Sequence, residues 1–281
     1  MKNIAEKIKE FLKGEILDNP KSLEEYSRDA SIFQIKPQIV VFPKDVEDIK
    51  SLVEFVVEEK LTNKGISLTA RSAGTDMTGG PLTESVVVSM TKYFNHIKEV
   101  GVGYTIVEPG VFYRDLDKVT KEKGYILPSY PASREICTVG GMVANNSGGE
   151  KNLAYGKTER YVESLKMILA DGNEYEFKKL VPKELEEKKK ENSLAGEIYR
   201  RMHELVESNY DALKAAEPHV SKNSAGYFLW NALDKKDGTF DLVKVIVGSQ
   251  GTLGIITEIK FKLVKPKAHS KLLVIFLRDL G

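Results

Sequence analysis

Two glycine-rich segments hold most of the residues in this sequence whose types and spacing could bind a phosphorylated ligand. Segment 1, residues 71–80, reads RSAGTDMTGG and lies between two predicted strands. Small residues allow positive φ and a close approach of the backbone to a ligand, and successive N–H groups in such a turn form a concave site for an anion such as a pyrophosphate. The composition predicts a phosphate-binding loop. A tight connection between strands, with Gly79 and Gly80 serving only the turn, stays open as the alternative.

Segment 2, residues 131–149, reads PASREICTVGGMVANNSGG and is too long for a single turn. Its Ser133, Thr138, Asn145 and Asn146 supply hydrogen-bond donors and acceptors that could bind a polar heterocycle. The alternative is an ordered loop packed on itself, because long loops also serve purely structural roles.

Segment 3, residues 248–257, reads GSQGTLGIIT, and taken alone it favours a glycine hairpin between two strands. Two common nucleotide-binding motifs can be tested against the whole sequence. No GxxxxGK[ST] run occurs, which excludes a P-loop. Gly101-Val102-Gly103 lacks the third glycine of the dinucleotide fingerprint and precedes a predicted strand rather than a helix, which disfavours a Rossmann site.

No side chain stands out as a catalytic base or a metal ligand. None of the four histidines, His96, His203, His219 and His269, belongs to a recognisable pair or motif, so we predict surface or packing roles for them. The single cysteine, Cys137, rules out an intrachain disulfide and any CxxC metal or iron–sulfur site. The catalytic residues are therefore unknown from the sequence.

Composition excludes several classes of protein. The chain has 281 residues, with 42 basic and 41 acidic side chains and a formal net charge of +1. No basic patch stands out, which argues against a nucleic-acid partner. Apolar runs are only a few residues long, whereas a bilayer span needs about 20, so we predict no transmembrane segment. The amphipathic N-terminus has no apolar stretch of the signal-peptide type, and we predict a cytoplasmic protein.

Apolar periodicity predicts the elements that position these segments. Asp45 should cap a helix that runs to about Lys60, with an inner face of Ile49, Leu52, Val53, Val56 and Val57. Gly124 should end a second helix over residues 111–123. We predict strands at 39–42, 66–70, 85–90 and 104–108. This alternation of strands and helices predicts an α/β layer with parallel pairing.

A second unit is predicted after residue 125. Its strands are expected at 165–170, 174–177, 243–248 and 254–264, with helices over 183–217. In the last strand Ile259, Phe261 and Leu263 alternate with lysines, which indicates one buried and one exposed face. The helical residues predicted to share one apolar side are Ile198, Met202, Leu205, Val206 and Leu213.

Together, and in this order, the three segments resemble the FAD-binding domain of the vanillyl-alcohol oxidase and p-cresol methylhydroxylase (PCMH-type) flavoprotein family. The branch they resemble is that of D-lactate dehydrogenase and the glycolate oxidase FAD subunit. Segment 1 is similar to the R-G-G-G-T-G-x-x-G-G loop of the family, residues 131–156 to P-x-S…T-[IV]-G-G…N-x-x-G-G…Y-G, and segment 3 to G-S-E-G-T-L-G-I-[IV]-T. The likeness covers roughly residues 20–270.

The resemblance implies an α+β fold, the PCMH-type FAD-binding fold of two α/β subdomains with the cofactor between them. On this basis we expect a first subdomain at 1–124 and a second at 125–268. Residues 269–281 would be the start of a truncated C-terminal cap domain.

The resemblance also implies which residues bind FAD. Backbone around residues 72–76 would hold the pyrophosphate, segment 2 would line the flavin and its ribityl chain, and segment 3 would lie near the adenine. The implied cofactor-binding residues are Arg71, Ser72, Ala73, Gly74, Thr75, Asp76, Thr78, Gly79, Pro131, Ser133, Thr138, Gly140, Gly141, Ala144, Asn145, Asn146, Gly148, Tyr155, Gly156, Gly251, Gly254, Ile255 and Ile256.

A few positions depart from the family pattern. Ala73 and Asp76 replace positions that are commonly glycine, and a carboxylate beside a pyrophosphate is unfavourable unless it turns away. Gln250 replaces a glutamate. Covalently flavinylated relatives carry histidine where Thr75 stands, so the resemblance implies non-covalent FAD. We expect Cys137 to be a small buried residue.

The implied function is oxidation of a small 2-hydroxy acid, of the D-lactate, glycolate or D-2-hydroxyglutarate type, by hydride transfer to FAD. The groups that hold the substrate would come from a cap domain absent from this chain, and Arg134 is the one side chain here that we name as a contact to the substrate carboxylate. Two alternatives stay open: a non-catalytic FAD-binding subunit of a larger redox complex, and a nucleotide-binding module without redox function. A cap-domain or iron–sulfur partner subunit is implied by family analogy alone.

Overall fold

The computed structural model describes residues 3–220, 223–269, 271, 273–276 and 278–279. Two sheets organise these residues, one of four strands and one of five. The cap start predicted at 269–281 lies partly outside the described residues, and the described residues beyond 269 form no strand. Every helix among the described residues is too short or too polar to span a bilayer.

The four-stranded sheet lies in the N-terminal part of the chain. Its strands are β1 (Glu15–Leu17), β2 (Ile39–Phe42), β3 (Leu68–Arg71) and β4 (Val86–Ser89), in the order β1-β2-β4-β3. Strand β4 pairs in parallel with both β2 and β3, whereas β1 pairs with β2 in the antiparallel direction. The predicted parallel layer is therefore confirmed for three of the four strands. The helices of this part are α1 (Ile4–Lys9), α2 (Pro20–Glu25) and α3 (Val46–Glu59).

Helix α3 packs on this sheet and follows the predicted pattern. Asp45 caps it, because its Oδ1 accepts a hydrogen bond from the backbone N–H of Asp48 at 3.0 Å. Ile49 and Leu52 are fully buried in the same apolar cluster as β2 and β4. The prediction that Val57 also faces the core is wrong, since its side chain is 52% exposed. Val57 lies beside the buried stripe because each helical residue is turned about 100° from the one before it.

The five-stranded sheet is antiparallel throughout. Its strands are β5 (Ile97–Gly101), β6 (Tyr104–Val107), β7 (Val162–Ile168), β8 (Glu174–Lys178) and β11 (Ile255–Lys262), in the order β5-β6-β11-β7-β8. The central strand β11 has the predicted faces, since Ile259 and Phe261 are fully buried and Leu263 nearly so, whereas Lys262 is exposed. A short hairpin of β9 (Leu233–Asp234) and β10 (Thr239–Phe240) stands apart from both sheets.

Strand pairing crosses the predicted border between subdomains. Strands β5 and β6 lie within residues 1–124, yet both pair within the five-stranded sheet, and β6 pairs only in the antiparallel direction. The change from one sheet to the other thus falls between β4 and β5. The boundary at 124/125 itself stays a prediction.

The remaining helices connect and cover the five-stranded sheet. They are α4 (Tyr113–Glu122), α5 (Val139–Ala144), α6 (Asn152–Tyr155), α7 (Pro182–Lys189), α8 (Leu194–Ser208), α9 (Tyr210–Ala215) and α10 (Val243–Ile246). Gly124 follows α4 at a φ of 79°, as its predicted capping role requires. In α8, Tyr199 is fully buried and Val206 is 1% exposed, but Leu205 is 44% exposed, so the prediction that Leu205 faces the core is wrong. It lies on the neighbouring, solvent-facing side of the same helix.

The predicted strand at 243–248 is also wrong, because residues 243–246 form α10. The backbone N–H of Val243 donates to Oδ1 of Asp241 at 3.0 Å, which satisfies a group that the start of a helix leaves open. Val243 and Val247 are fully buried and Ile246 nearly so. An apolar run that is buried on all sides has no periodicity that separates a strand from a helix.

Candidate functional site

Helix α5 lies where the sequence predicts a loop over 131–149, so that prediction is wrong for residues 139–144. Gly140 and Gly141 are poor helix formers, and packing rather than propensity accounts for the helix. The N–H of Gly140 donates to the carbonyl of Pro109 at 2.8 Å, and a Cβ on Gly140 would lie 2.6 Å from the Cβ of Pro109. Only glycine lets α5 lie this close to the chain that follows β6.

Segment 1 reaches α5 near the N-terminal end of the helix. A Cβ on Gly141 would lie 3.4 Å from Cβ and 3.6 Å from Oγ of Ser72, and 4.0 Å from Oγ1 of Thr138. The absence of a side chain at Gly141 therefore leaves a gap between the two segments. Segments 1 and 2, which are far apart in sequence, are neighbours across it.

Segment 3 meets the opposite end of α5. The backbone N–H groups of Gly248 and Gln250 donate to the carbonyls of Val143 and Ala144, each at 2.9 Å. The side-chain amide of Gln250 donates to Oδ1 of Asn145 at 3.1 Å. These backbone bonds satisfy carbonyls that a helix leaves open at its C-terminus. All three segments thus converge on one helix, and segment 3 follows α10 instead of joining two strands.

The later residues of segment 3 belong to the five-stranded sheet. A Cβ on Gly254, whose φ is 155°, would lie 2.5 Å from Cε of Met167. Ile255 and Ile256 are the first residues of β11 and pair with Ile168 and Met167 of β7. Ile255 is buried among apolar side chains, so it serves packing, whereas Gly251 faces open space at a φ of 75°.

The carboxylate of Asp76 is folded back into segment 1. Its Oδ2 accepts hydrogen bonds from the backbone N–H of Gly80 at 2.8 Å and from Oγ1 of Thr78 at 2.6 Å. Gly74 and Gly79 have φ values of 68° and 84°, which side chains rarely adopt. Asp76 therefore holds the turn in shape with donors of the turn itself.

The guanidinium of Arg71 also points back into the protein. It donates to the carbonyls of Arg28 at 2.6 Å and Tyr26 at 3.3 Å, and it lies over the ring of Tyr26 at 5.2 Å from the ring centre. Arg71 is 8% exposed, and this burial lowers the pKa of its guanidinium. Arg71 was predicted to bind the cofactor, but its side chain is hydrogen-bonded to backbone carbonyls of the protein itself.

Two predicted site residues carry buried polar atoms without a hydrogen-bond partner among the described residues. These atoms are Oγ1 of Thr138 and Nδ2 of Asn146. Asn146 is fully buried at a φ of 44°, and its Oδ1 accepts from the backbone N–H of Glu159 at 3.0 Å. A buried polar group without a partner costs about 1–3 kcal/mol, so such groups are few in native proteins. Thr138 precedes α5 and Asn146 follows it, so a ligand bound beside this helix would supply the missing hydrogen-bond partners.

Other predicted residues combine a fixed backbone with partial exposure. The backbone carbonyl of Tyr155 accepts a hydrogen bond from the hydroxyl of Tyr161 at 2.7 Å. A Cβ on Gly148 would lie 2.6 Å from Oδ1 of Asn152, and Gly156 has a φ of 77°. The half-buried members of the predicted set are Ser72, Ala73, Gly74, Thr75, Asp76, Gly79, Pro131, Ser133, Gly141, Ala144, Gly148, Tyr155, Gly254 and Ile256.

Sequence reasoning missed a group of polar residues just after Tyr155-Gly156. A cleft of about 220 Å³ is lined there by Asn152, Leu153, Gly156, Lys157, Glu159 and Arg160. The buried ammonium of Lys157 lies 3.6 Å from Oε2 of Glu159 and 4.4 Å from the centre of the Phe228 ring, and it donates to the carbonyl of Asn223. The signal available in the sequence was the three charged residues Lys157, Glu159 and Arg160, which lie within four positions after the tyrosine–glycine pair.

Cys137 and Arg134 have clear structural surroundings. Cys137 is 3% exposed, and burial raises the pKa of its thiol to about 11, which confirms the predicted small buried residue. Arg134 lies over the ring of Tyr130 and contacts the carboxylates of Glu135 at 3.3 Å and Glu150 at 3.8 Å. Its predicted contact with a substrate carboxylate stays a prediction.

Two of the four histidines contact other side chains, and the other two are exposed. His96 contacts Glu108 at 2.7 Å, and His203 packs edge-on against the ring of Phe240. His219 and His269 are exposed. In the described part of the chain, no three histidine, cysteine or carboxylate side chains come together as a metal site would need.

Comparison with known proteins identifies the family to which these features belong. Residues 37–178 match the family described as FAD binding domain, a stretch that includes segments 1 and 2 and the whole of α5. D-2-hydroxyglutarate dehydrogenase of Escherichia coli (strain K12) is 28% identical over 86% of this chain. Glycolate oxidase subunit GlcD of Bacillus subtilis (strain 168) is 30% identical over 89% of it.

The chain spans only part of these relatives, 24% of the length of the first and 42% of the second. Among solved structures, alkyldihydroxyacetonephosphate synthase matches 92% of this chain with a TM-score of 0.62 at 18% sequence identity. That likeness concerns the fold, an α+β arrangement of two sheets.

The burial of Cys137 predicts slow reaction with thiol reagents. Because the raised pKa of about 11 keeps the thiol protonated, only about one molecule in a thousand carries the reactive thiolate near pH 8. Native protein should therefore react with Ellman's reagent far more slowly than protein unfolded in guanidinium chloride, and the native rate should rise as pH approaches the pKa. Equal rates for native and unfolded protein would contradict the burial.

Proposed function

We propose that this chain, which belongs to the FAD-binding domain family, is the FAD-binding part of an oxidoreductase that acts on a small 2-hydroxy acid. FAD is its cofactor on the strength of that membership. The observation that carries the proposal is the convergence of three glycine-rich segments on α5, within and beside the matched residues. The names of its relatives, D-2-hydroxyglutarate dehydrogenase and a glycolate oxidase subunit, support the substrate class.

The residues around α5 fit an FAD molecule in chemical type. FAD offers a pyrophosphate, a polyhydroxylated chain and two polar heterocycles. The absence of a side chain at Gly141, opposite Ser72, would let a ligand approach the backbone of α5 closely. The buried Oγ1 of Thr138 and Nδ2 of Asn146 would gain the hydrogen-bond partners that they lack within the described protein.

In this proposal each segment has its own task. Backbone N–H groups of residues 72–76 hold the pyrophosphate. The carboxylate of Asp76 meanwhile stays hydrogen-bonded to Thr78 and Gly80 within the loop. Thr138 and Asn146 orient the flavin side of the cofactor. Gly251 and the chain around it lie towards the adenine. The two sheets serve as the two subdomains, with the cofactor between them.

We further propose that FAD is held without a covalent bond. Thr75 has no nucleophilic ring nitrogen of the kind that histidine provides at this position in flavinylated proteins. The thiol of Cys137 is buried and its pKa is raised, so it is a poor nucleophile.

When bound, FAD supplies the two-electron oxidation of an alcohol-bearing carbon, and the protein supplies position, electrostatics and exclusion of water. This chain's own contribution is to bind and orient the cofactor through α5 and its three segments. The substrate-binding groups, a cap domain and any iron–sulfur partner would come from elsewhere in the complete enzyme, which is longer than this chain in the relatives that it matches. A cytoplasmic enzyme of this type would act on a free small acid.

A non-catalytic FAD-binding role is the second candidate. It is favoured by the surroundings of two histidines, because His96 and His203 are engaged with Glu108 and Phe240.

Reconstitution with FAD tests the cofactor proposal directly. The purified protein should be yellow, or become so with added FAD, and acid precipitation should release the colour into the supernatant because no covalent bond holds it. Visible absorption spectra before and after precipitation measure this. Colour that stays in the pellet would contradict non-covalent binding, and a protein that stays colourless with excess FAD would contradict the proposed function.

Filling the gap beside Ser72 should impair the cofactor site selectively. Gly141→Val places methyl groups in the contact between α5 and segment 1, and FAD binding should weaken by about 10-fold or more, since overpacking a contact costs about 1–3 kcal/mol. Gly65→Val, in the exposed turn before β3, is the matched control. Isothermal titration with FAD compares the two, and equal affinities would count against this location.

Anaerobic mixing of the FAD-loaded protein with substrate tests whether this chain is catalytic by itself. Loss of the flavin absorption with D-2-hydroxyglutarate, D-lactate or glycolate would contradict the non-catalytic role. FAD-loaded protein that keeps its colour with all three acids, yet is bleached by dithionite, would contradict catalysis by this chain alone.

A further inference from the structure

Arg71 is the last residue of β3, and its side chain packs against the backbone of segment 1 at Gly74. Its guanidinium donates to the carbonyls of Tyr26 and Arg28 and lies over the Tyr26 ring. These bonds attach segment 1 to the turn between α2 and β2. Arg71 is 8% exposed, so the positive charge is largely removed from water.

The backbone of segment 1 lies directly on this charge. A Cβ on Gly74 would stand 2.3 Å from Nη2 and 2.9 Å from Cζ of Arg71. Gly74, whose φ is 68°, therefore brings the peptide groups of the loop as close to the guanidinium as the chain permits. The guanidinium therefore lies against one side of the loop.

No carboxylate among the described residues accepts a hydrogen bond from the guanidinium of Arg71, which is bonded to neutral carbonyls and lies over a ring. The carboxylate of Asp29 is close enough to interact with it electrostatically. The same carboxylate accepts hydrogen bonds from the backbone N–H groups of Ser31 at 2.8 Å and Gly79 at 3.0 Å. Since an arginine side chain stays protonated in proteins, a largely buried positive charge lies beside segment 1, and Asp29 compensates it only in part.

We propose that Arg71 is the buried counter-charge for the pyrophosphate of the ligand held by residues 72–76, and that it acts through the loop without touching the ligand. The proposal rests on the proposed function, which places the pyrophosphate in segment 1. Arg71 is thus a positioning residue that holds the loop and places a positive charge beside it, where the carboxylates of Asp29 and Asp76 also bind the loop. A charge held in a protein interior is screened by salt and water much less than one on the surface.

In this proposal the buried charge of Arg71 and the bound anion stabilise each other. Burying a charge without a partner is unfavourable, and an anion on the other side of the loop offsets part of that cost. Anion binding should therefore be tighter with the charge present than with a neutral residue of similar length. A role confined to loop geometry would depend on the planar fork of arginine, which lysine does not reproduce.

Charge and geometry are separated by comparing variants of Arg71. Arg71→Lys keeps the charge and loses the fork, whereas Arg71→Gln and Arg71→Met lose the charge. Arg28→Gln is the matched control, because it removes an exposed positive charge from the same turn while leaving the carbonyl that Arg71 binds. Isothermal titration measures the dissociation constants of FAD and of ADP, with circular dichroism as the check of folding.

We expect Arg71→Lys and Arg28→Gln to bind both ligands within about threefold of the unaltered protein. Arg71→Gln and Arg71→Met should bind both about 10-fold more weakly, which corresponds to about 1.4 kcal/mol. Equal weakening by lysine and the neutral residues in folded protein would overturn the counter-charge and leave a geometric role. Unchanged binding in the neutral variants would overturn it as well.

Two further outcomes are decisive. If both neutral variants fail to fold, Arg71→Lys alone decides, with binding within threefold supporting the proposal and a loss above tenfold overturning it. If the unaltered protein binds neither FAD nor ADP, the proposed function fails first, which separates that failure from the failure of the counter-charge.

Discussion

Main-chain contact at both ends of α5 is the constraint on which the candidate site depends. Gly140 lies against Pro109, and Gly141 faces Ser72 across a gap that no side chain fills. At the other end, the carbonyls of Val143 and Ala144 accept hydrogen bonds from segment 3. The contacts of α5 with Pro109 and segment 3 include hydrogen bonds between backbone atoms, which no change of rotamer can break, whereas segment 1 faces α5 through the side chain of Ser72. The helix therefore sets their mutual positions, and binding requires that they be held in this way.

Features that are energetically unfavourable by themselves are concentrated around α5. Asn146 and Gln250 are the two residues other than glycine with positive φ among those described; Asn146 follows α5, and Gln250 is the third residue of segment 3. Thr138 and Asn146 have buried polar atoms without partners among the described residues, and Arg71 brings a largely buried charge that is hydrogen-bonded to neutral carbonyls. Strain and unsatisfied groups of this kind persist where the surrounding structure enforces them, typically at functional sites. A ligand with both an anionic and a polar heterocyclic part would relieve the two kinds of cost together.

The sheets supply the rigidity that enforces these costs. Ile168 of β7 and Ile255 of β11 belong to the five-stranded sheet, yet they pack in the apolar cluster of the four-stranded sheet with Ile49 and Val86. The two sheets therefore share a core next to segment 3. Periodicity in the sequence revealed most of this frame, because α3 and β11 each bury one face and expose the other. It failed at residues 243–246, where an evenly buried run carries no period.

By itself, the sequence determined the frame of half-buried helices and strands, the three glycine-rich segments and their likeness to FAD-binding domains. Those features are local, since they reside in residue type and spacing. Only the tertiary structure decided that Val139–Ala144 is a helix, that all three segments meet on it, and that Arg71 binds the carbonyls of Tyr26 and Arg28. Two glycines oppose helix formation, and contacts between residues far apart in the chain leave no periodic trace. Packing against Pro109 and Ser72 supplies what local preference lacks.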